Sequence, residues 1–100
     1  MYARIIKITF PNEFAKNSAD MFLNPFVLEA AKDMGLLYRI VLTPKPEQRV
    51  AIQIYEDEQK SKEARKKFGD EKLTEIRDMG ARIEIIEGKI EKFDNLLEIV

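Results

Sequence analysis

The chain has 100 residues, 45% of them hydrophobic and 35% charged, which is enough for one domain around a single core. Its 17 basic and 18 acidic residues leave a net charge of −1, so it lacks the strong overall field of a general nucleic-acid or membrane binder. With neither His nor Cys it has no disulfide, thiolate metal site, cysteine nucleophile, Ser-His relay, imidazole base or proximal-His haem ligation, and oxygen-ligand metal sites stay open.

Ala3 to Phe10 is β-branched and aromatic with partial alternation, and Pro11-Asn12 ends it as a first strand. Glu13 to Leu23 is mixed, with Ser18 offering a cap for a short turn of helix. Asn24-Pro25 then pairs an N-cap residue with Pro at a first helical position, so the main helix is expected from Pro25 to Met34. Val27, Ala31 and Met34, with Phe26 and Ala30 alongside, make its apolar face, and Gly35 supplies the stop. Leu36 to Thr43 and Arg49 to Tyr55 read as a hairpin joined through Pro44-Lys45-Pro46-Glu47-Gln48. Asp57 can cap the next helix, which Phe68-Gly69 interrupts and Asp70 restarts. Leu73, Ile76 and Met79 carry its apolar stripe to Gly80. Ala81 to Glu87 is the last strand, Gly88 marks a turn or bulge, and the tail Leu96 to Val100 is apolar. Strand, helix, strand, strand, helix, strand points to an α+β, ferredoxin-like sandwich: one domain over residues 1–100, with a four-stranded antiparallel sheet in the order four, one, three, two and helices on one face.

Register decides which side chains share a face. With Thr43 opposite Arg49, Val41 faces Ala51, Arg39 faces Gln53 and Leu37 faces Tyr55. The alternate set Tyr38, Ile40, Leu42, Val50, Ile52 and Ile54 joins Ile6, Ile8, Phe10, Ile83 and Ile85 as the expected core beneath the helices. The other face then holds Ile5, Lys7, Thr9, Leu37, Arg39, Val41, Ala51, Gln53, Tyr55, Arg82, Glu84 and Ile86. It is too apolar for a solvated sheet, so a second copy is expected to cover it. Glu84, Lys7, Gln53 and Arg39 would cross that face in a row. Buried charges need partners, so these residues either pair or contact a ligand. On the ligand reading, Lys7 and Arg39 orient an anionic or carbonyl-bearing small molecule in a pocket between the sheet and the partner copy, with Gln53 and Tyr55 hydrogen-bonding beside them.

The segment GLLYRIVLTPKPEQRVAIQIYEDEQKSKEARKKF, followed by MGARIEIIEGKIEKF, resembles the dimeric α/β-barrel superfamily, especially its antibiotic-biosynthesis-monooxygenase-like members. The resemblance lies in a Gly before strand two, the aromatic Tyr55 closing strand three, an acidic cap into a helix and a Gly after strand four. It implies two ferredoxin-like sheets packed face to face as a homodimer, and a cofactor-independent monooxygenase-like activity. The helical His of haem-degrading relatives has no counterpart, which argues against haem chemistry, and no catalytic signature accompanies the layout.

Other readings are weaker. Lys60, Lys62, Arg65, Lys66 and Lys67 are interleaved with Glu58, Glu63, Asp70 and Glu71, as on a solvated helix. Stacking aromatics for RNA are missing from the central strands, so no nucleic-acid partner is expected. Glu84 and Glu87 point to opposite sides of a strand, so no metal site is expected, and isolated glycines make no phosphate loop. No run is long enough to cross a membrane, and Met1-Tyr2-Ala3-Arg4 leads straight into strand-like residues. The expectation is a cytoplasmic protein with no cofactor that binds or transforms a small organic molecule, or else a non-catalytic assembly module.

Overall fold

The structure, a computed structural model, describes residues 1–31 and 34–98. Strand β1 (Tyr2–Thr9) alternates strictly, its even residues buried and its odd ones half-buried. That regular period 2 suits a central strand, and β1 lies between its two antiparallel neighbours, β3 (Gln48–Tyr55) and β4 (Arg82–Lys89). The edge strand β2 (Leu36–Leu42) pairs with β3, completing the expected order β2-β3-β1-β4.

Helix α1 (Glu13–Ala31) is longer than the sequence suggests and runs through Pro25 without a new start. Asn12 is its cap, accepting at Oδ1 from the Ala15 amide at 2.8 Å. Ala15, Ala19 and Leu23 form a stripe at i, i+4 and i+8 that packs on the core, and this tertiary contact outweighs the local signals at Ser18 and Pro25. The expected apolar set Phe26, Val27, Ala30 and Ala31 falls outside the described side chains.

Gly35 turns the chain into β2 at a φ of 75°, a left-handed conformation that Gly adopts without strain. A Cβ there would stand 3.0 Å from Lys60 Cγ, so Gly also permits close packing of the next helix. At the hairpin end the Gln48 amide donates to Lys45 O, and the Phe10 amide donates to Glu47 O, each at 2.9 Å.

Helix α2 (Glu58–Ala64) begins at Asp57, whose Oδ1 accepts from the Lys60 amide at 2.8 Å. Asp57→Ala should cost about 1 kcal/mol in urea unfolding. A loss below roughly 0.3 kcal/mol would mean that the cap adds nothing to what tertiary packing already enforces. The expected break near Phe68-Gly69 is a π-helical turn (Arg65–Gly69) that feeds directly into α3 (Asp70–Asp78). Gly69 stays right-handed at φ −82°, so the helix widens there without stopping. It stops instead at Gly80, φ 92°.

All three helices cover one face. Ile6, Ile8, Phe10, Ala19, Leu23, Ile76 and Ala81 form the core, with Leu73 and Ile83 against it. β1 and β4 present the faces expected of them, whereas the β2–β3 hairpin is inverted. Its internal register holds, with Arg39 opposite Gln53 and Val41 opposite Ala51, except that a shift between Leu36 and Tyr38 puts Leu36 opposite Tyr55. Pairing with β1 sets Ala51 beside Ile6 and Gln53 beside Arg4, on the helix side, and Ile52 beside Ile5 on the open side. The aliphatic set Tyr38, Ile40, Leu42, Val50, Ile52 and Ile54 therefore faces away from the helices. One residue of parity moves a whole strand between faces, and the pairing with β1 sets that parity.

The open face is thus the more aliphatic side of the hairpin. Ile40 is 53% exposed and Ile86 72% in the single chain. After β4, with Gly88 still in the ladder opposite Ala3, the Ile90 amide donates to Met1 O at 3.0 Å. The chain then brings the Phe93 ring to 5.4 Å from Tyr38, crossing one end of the open face toward β2.

Candidate functional site

Polar side chains cross the helix side of the sheet in one row. Arg39 on β2 is opposite Gln53 on β3, Gln53 is opposite Arg4 on β1, and Arg4 is opposite Glu87 on β4. The next row carries Tyr55 opposite Tyr2. These groups lie where a small domain would ordinarily place aliphatic side chains, yet Arg4 is 4% exposed, and Gln53, Tyr2 and Tyr55 are buried.

The row is held partly by internal contacts. The Tyr2 hydroxyl donates to Glu87 Oε1 at 2.9 Å, and Arg4 Nε lies 3.4 Å from Glu87 Oε2. The Tyr55 hydroxyl donates to Gln53 Oε1 at 3.3 Å. Arg39 Nη2 donates to Asn24 Oδ1 at 2.8 Å. Arg4 Nε and Arg39 Nε are buried without a hydrogen-bond partner, so neither guanidinium is saturated. The π-helical turn lies above this row, and a Cβ on Gly69 would be 3.7 Å from Arg4 Nη1. Such widened turns recur at functional sites because they re-aim neighbouring side chains.

Burial raises the Tyr55 phenol above its ordinary 10.0, partly offset by the Arg4 cation; burial, then the Glu87 carboxylate, raises Tyr2. Folded Tyr55 therefore keeps its proton at a pH where the unfolded chain loses it. The stability this gives is complete below pH 10.0 and is lost as pH rises through the folded value. Tyr55→Phe should flatten the alkaline fall in stability; an unchanged fall would show that Tyr55 ionises normally.

Of the residues singled out from sequence, Arg39, Gln53 and Tyr55 come together on the helix side. Lys7 does not: it lies on the open face between Val50 and Glu84, so the expected row from Glu84 through Lys7 to Gln53 and Arg39 is split across two faces. Arg4, Tyr2 and Glu87 replace Lys7. Their parity with Ile6 and Ile8 was the available signal, since a charged residue in register with a core strand must be buried or terminal. The basic run on α2 and the π-helical turn lines an open cleft of about 250 Å³ with Lys62, Arg65, Lys66 and Asp70. Lys62 pairs with Glu58 at 3.5 Å and Arg65 with Asp70 at 2.9 Å, as on a solvated helix. Among the described residues no three potential acidic ligands converge on a metal position, and no helix is long and apolar enough to cross a membrane.

This strand order, with the helices confined to one face, defines a ferredoxin-like α+β protein, and solved structures share it. SnoaB, a cofactor-independent oxygenase from Streptomyces nogalater, superposes with a TM-score of 0.75 at 15% identity, over 92% of this chain and 94% of that one. A dimeric ferredoxin-like protein from an uncultured marine organism gives 0.71 at 11% identity, over 95% and 99%. A candidate antibiotic biosynthesis monooxygenase from Nitrosomonas europaea gives 0.73 at 9% identity, over 92% and 100%. These are the kinds of protein the sequence resembles, and at such identities the likeness is one of fold. No family model and no curated protein matches the chain.

Proposed function

We propose that two copies of the chain pack through their open sheet faces, and that each binds a small organic molecule between sheet and helices as an oxygenase working without a cofactor. The ligand half rests on one observation: two arginines, a glutamine and a tyrosine occupy the helix side of the sheet, and the Nε atoms of Arg4 and Arg39 make no hydrogen bond there. The pairing rests on the aliphatic open face. The descriptions of SnoaB as a cofactor-independent oxygenase and of the marine protein as dimeric support both halves.

The chemistry fits the groups present. Without a cofactor, the electrons that reduce oxygen come from the substrate: a methylene becomes a carbonyl as one oxygen atom enters it and the other leaves as water. The first step is loss of a proton to leave an enolate. On this reading Arg4 and Arg39 hold the enolate oxygen, Gln53 and Tyr55 hydrogen-bond beside it, and Glu87, the carboxylate of the row, takes the proton.

Oxygen uptake with dithranol, an aromatic ketone with an acidic methylene, tests this reading. Uptake should exceed the protein-free rate, and Arg4→Gln should lower the excess about 10²-fold. No acceleration by a wild-type protein that nevertheless binds dithranol would favour a non-catalytic module. The internal contacts of Tyr2 with Glu87 and Tyr55 with Gln53 already point that way, since they partly satisfy the row without a ligand.

A further inference from the structure

The buried side of α1 carries a second group of charges that joins the polar row at Arg39. Lys16 and Asp20, one turn apart, pair at 2.7 Å, and Arg49 on β3 brings Nε to 2.9 Å from the other Asp20 oxygen. Asn24, a further turn along, accepts at one atom, Oδ1, from Arg39 Nη2 at 2.8 Å and Arg49 Nη2 at 2.7 Å. Lys16 Nζ also donates to Thr43 Oγ1 at 3.2 Å.

Donors exceed acceptors here. Two guanidiniums and an ammonium offer about thirteen N–H bonds, against one carboxylate, one amide oxygen and one hydroxyl. Arg39 Nε is buried without a hydrogen-bond partner, while Arg49 Nε and Asp20 Oδ1 meet only each other, at 2.9 Å. Arg49 is 4% exposed and Lys16 9%, so an excess of positive charge is held away from water. Burial lowers the pKa of both arginines, partly offset by Asp20, yet a guanidinium keeps its proton at neutral pH. A buried cationic excess is costly unless something anionic answers it. Asn24 Oδ1 marks the place: a neutral oxygen shared by two guanidiniums sits where a charged one would bind better.

We propose that Lys16, Arg39 and Arg49 form an oxyanion subsite that holds the carboxylate or phosphate of an organic ligand whose remainder lies along the row at Arg39 and Gln53. The proposal rests on the reading that a small molecule binds between sheet and helices, and it narrows that molecule to an organic anion.

Three probes with one ring system separate the two ideas: naphthoate, naphthyl phosphate and the neutral naphthamide. They are titrated into the full chain and followed by the arginine Nε–H resonances and by calorimetry. At least one anion should bind tenfold or more tighter than the amide, and its addition should shift the Arg39 and Arg49 resonances. Which anion binds tighter identifies the group. Asn24→Asp builds the missing charge into the chain, so this variant should melt no lower than wild type and lose the preference for anions. Equal binding of anions and amide overturns the subsite and leaves the small-molecule reading standing; no binding of any probe removes both. An anion preference that survives unchanged in Asn24→Asp, or one unaccompanied by Arg39 and Arg49 shifts, overturns the assignment to this cluster.

Discussion

Ile40→Glu and Ile86→Glu, each made singly, are expected to turn the proposed dimer into a folded monomer. Ile40 lies on β2 and Ile86 on β4, at opposite edges of the open face, so between them they span the surface that a second copy would cover. Stable interfaces bury on the order of 1,200–2,000 Å² in total, and the aliphatic side chains of four strands can supply the centre of one. In a twofold dimer every substitution enters twice. Burying a carboxylate without a partner costs several kcal/mol, so a pair should weaken association by about 10³-fold or more. Light scattering on the eluting protein reads the subunit count, and circular dichroism checks that the chain is still folded. Lys66→Glu, on the π-helical turn, serves as a control that should stay dimeric. Two folded variants with the wild-type subunit count would place the interface elsewhere.

The second large effect concerns stability. Ile8 and Ile76 are the largest fully buried side chains among the described residues, one from β1 and one from α3, and both belong to the core cluster. Truncating either to Ala removes buried methylene and methyl groups and leaves a cavity that packed neighbours fill only in part. Each should cost about 2–4 kcal/mol. For a domain whose whole stability is roughly 5–15 kcal/mol, that is a large share. Urea unfolding of the wild type and both variants, compared at equal m-value, measures it. Losses under about 1 kcal/mol at both positions would mean that the helix layer does not close on β1 as described.

The two substitution sets also separate the faces of the sheet. On the proposed pairing, positions facing the helices govern whether the chain folds, and those on the open side govern whether it associates. The tail bears on the second question, because Phe93 on Tyr38 covers one end of the open face while Leu97 beyond it is 92% exposed. Ile99 and Val100 lie outside the described residues.

Much of the architecture was legible in the sequence because it is written in local, short-range signals. The strand read over Ala3 to Phe10 (observed as Tyr2–Thr9), the turn in Pro44 to Gln48, the cap at Asp57 and the stop at Gly80 each act within a few residues, and each holds in the structure. The register inside the hairpin was legible for the same reason, since a short turn sets which residues oppose one another. Other local signals failed. Asn24-Pro25 reads as a helix start but lies within α1, where Ala19 and Leu23 bind the preceding turns to the core. Phe68-Gly69 reads as a break but becomes a π-helical turn that keeps its backbone hydrogen-bonded.

Composition and local pattern alone determined the α+β class and the lack of His and Cys, and they gave the sheet more apolar residues than one covered face would need. Tertiary structure decided which face of the hairpin meets the helices, and with it the identity of the site. The hairpin carries one aliphatic face and one polar face, and hydrophobicity alone assigns the aliphatic face to the core. Pairing with β1 reverses this: it aligns Arg39 and Gln53 with Arg4 and Glu87 beneath the helices and leaves Ile40 and Ile52 outside. The physical reason is that a strand has two equivalent sides, and only long-range backbone pairing, not the sequence of the hairpin, chooses between them.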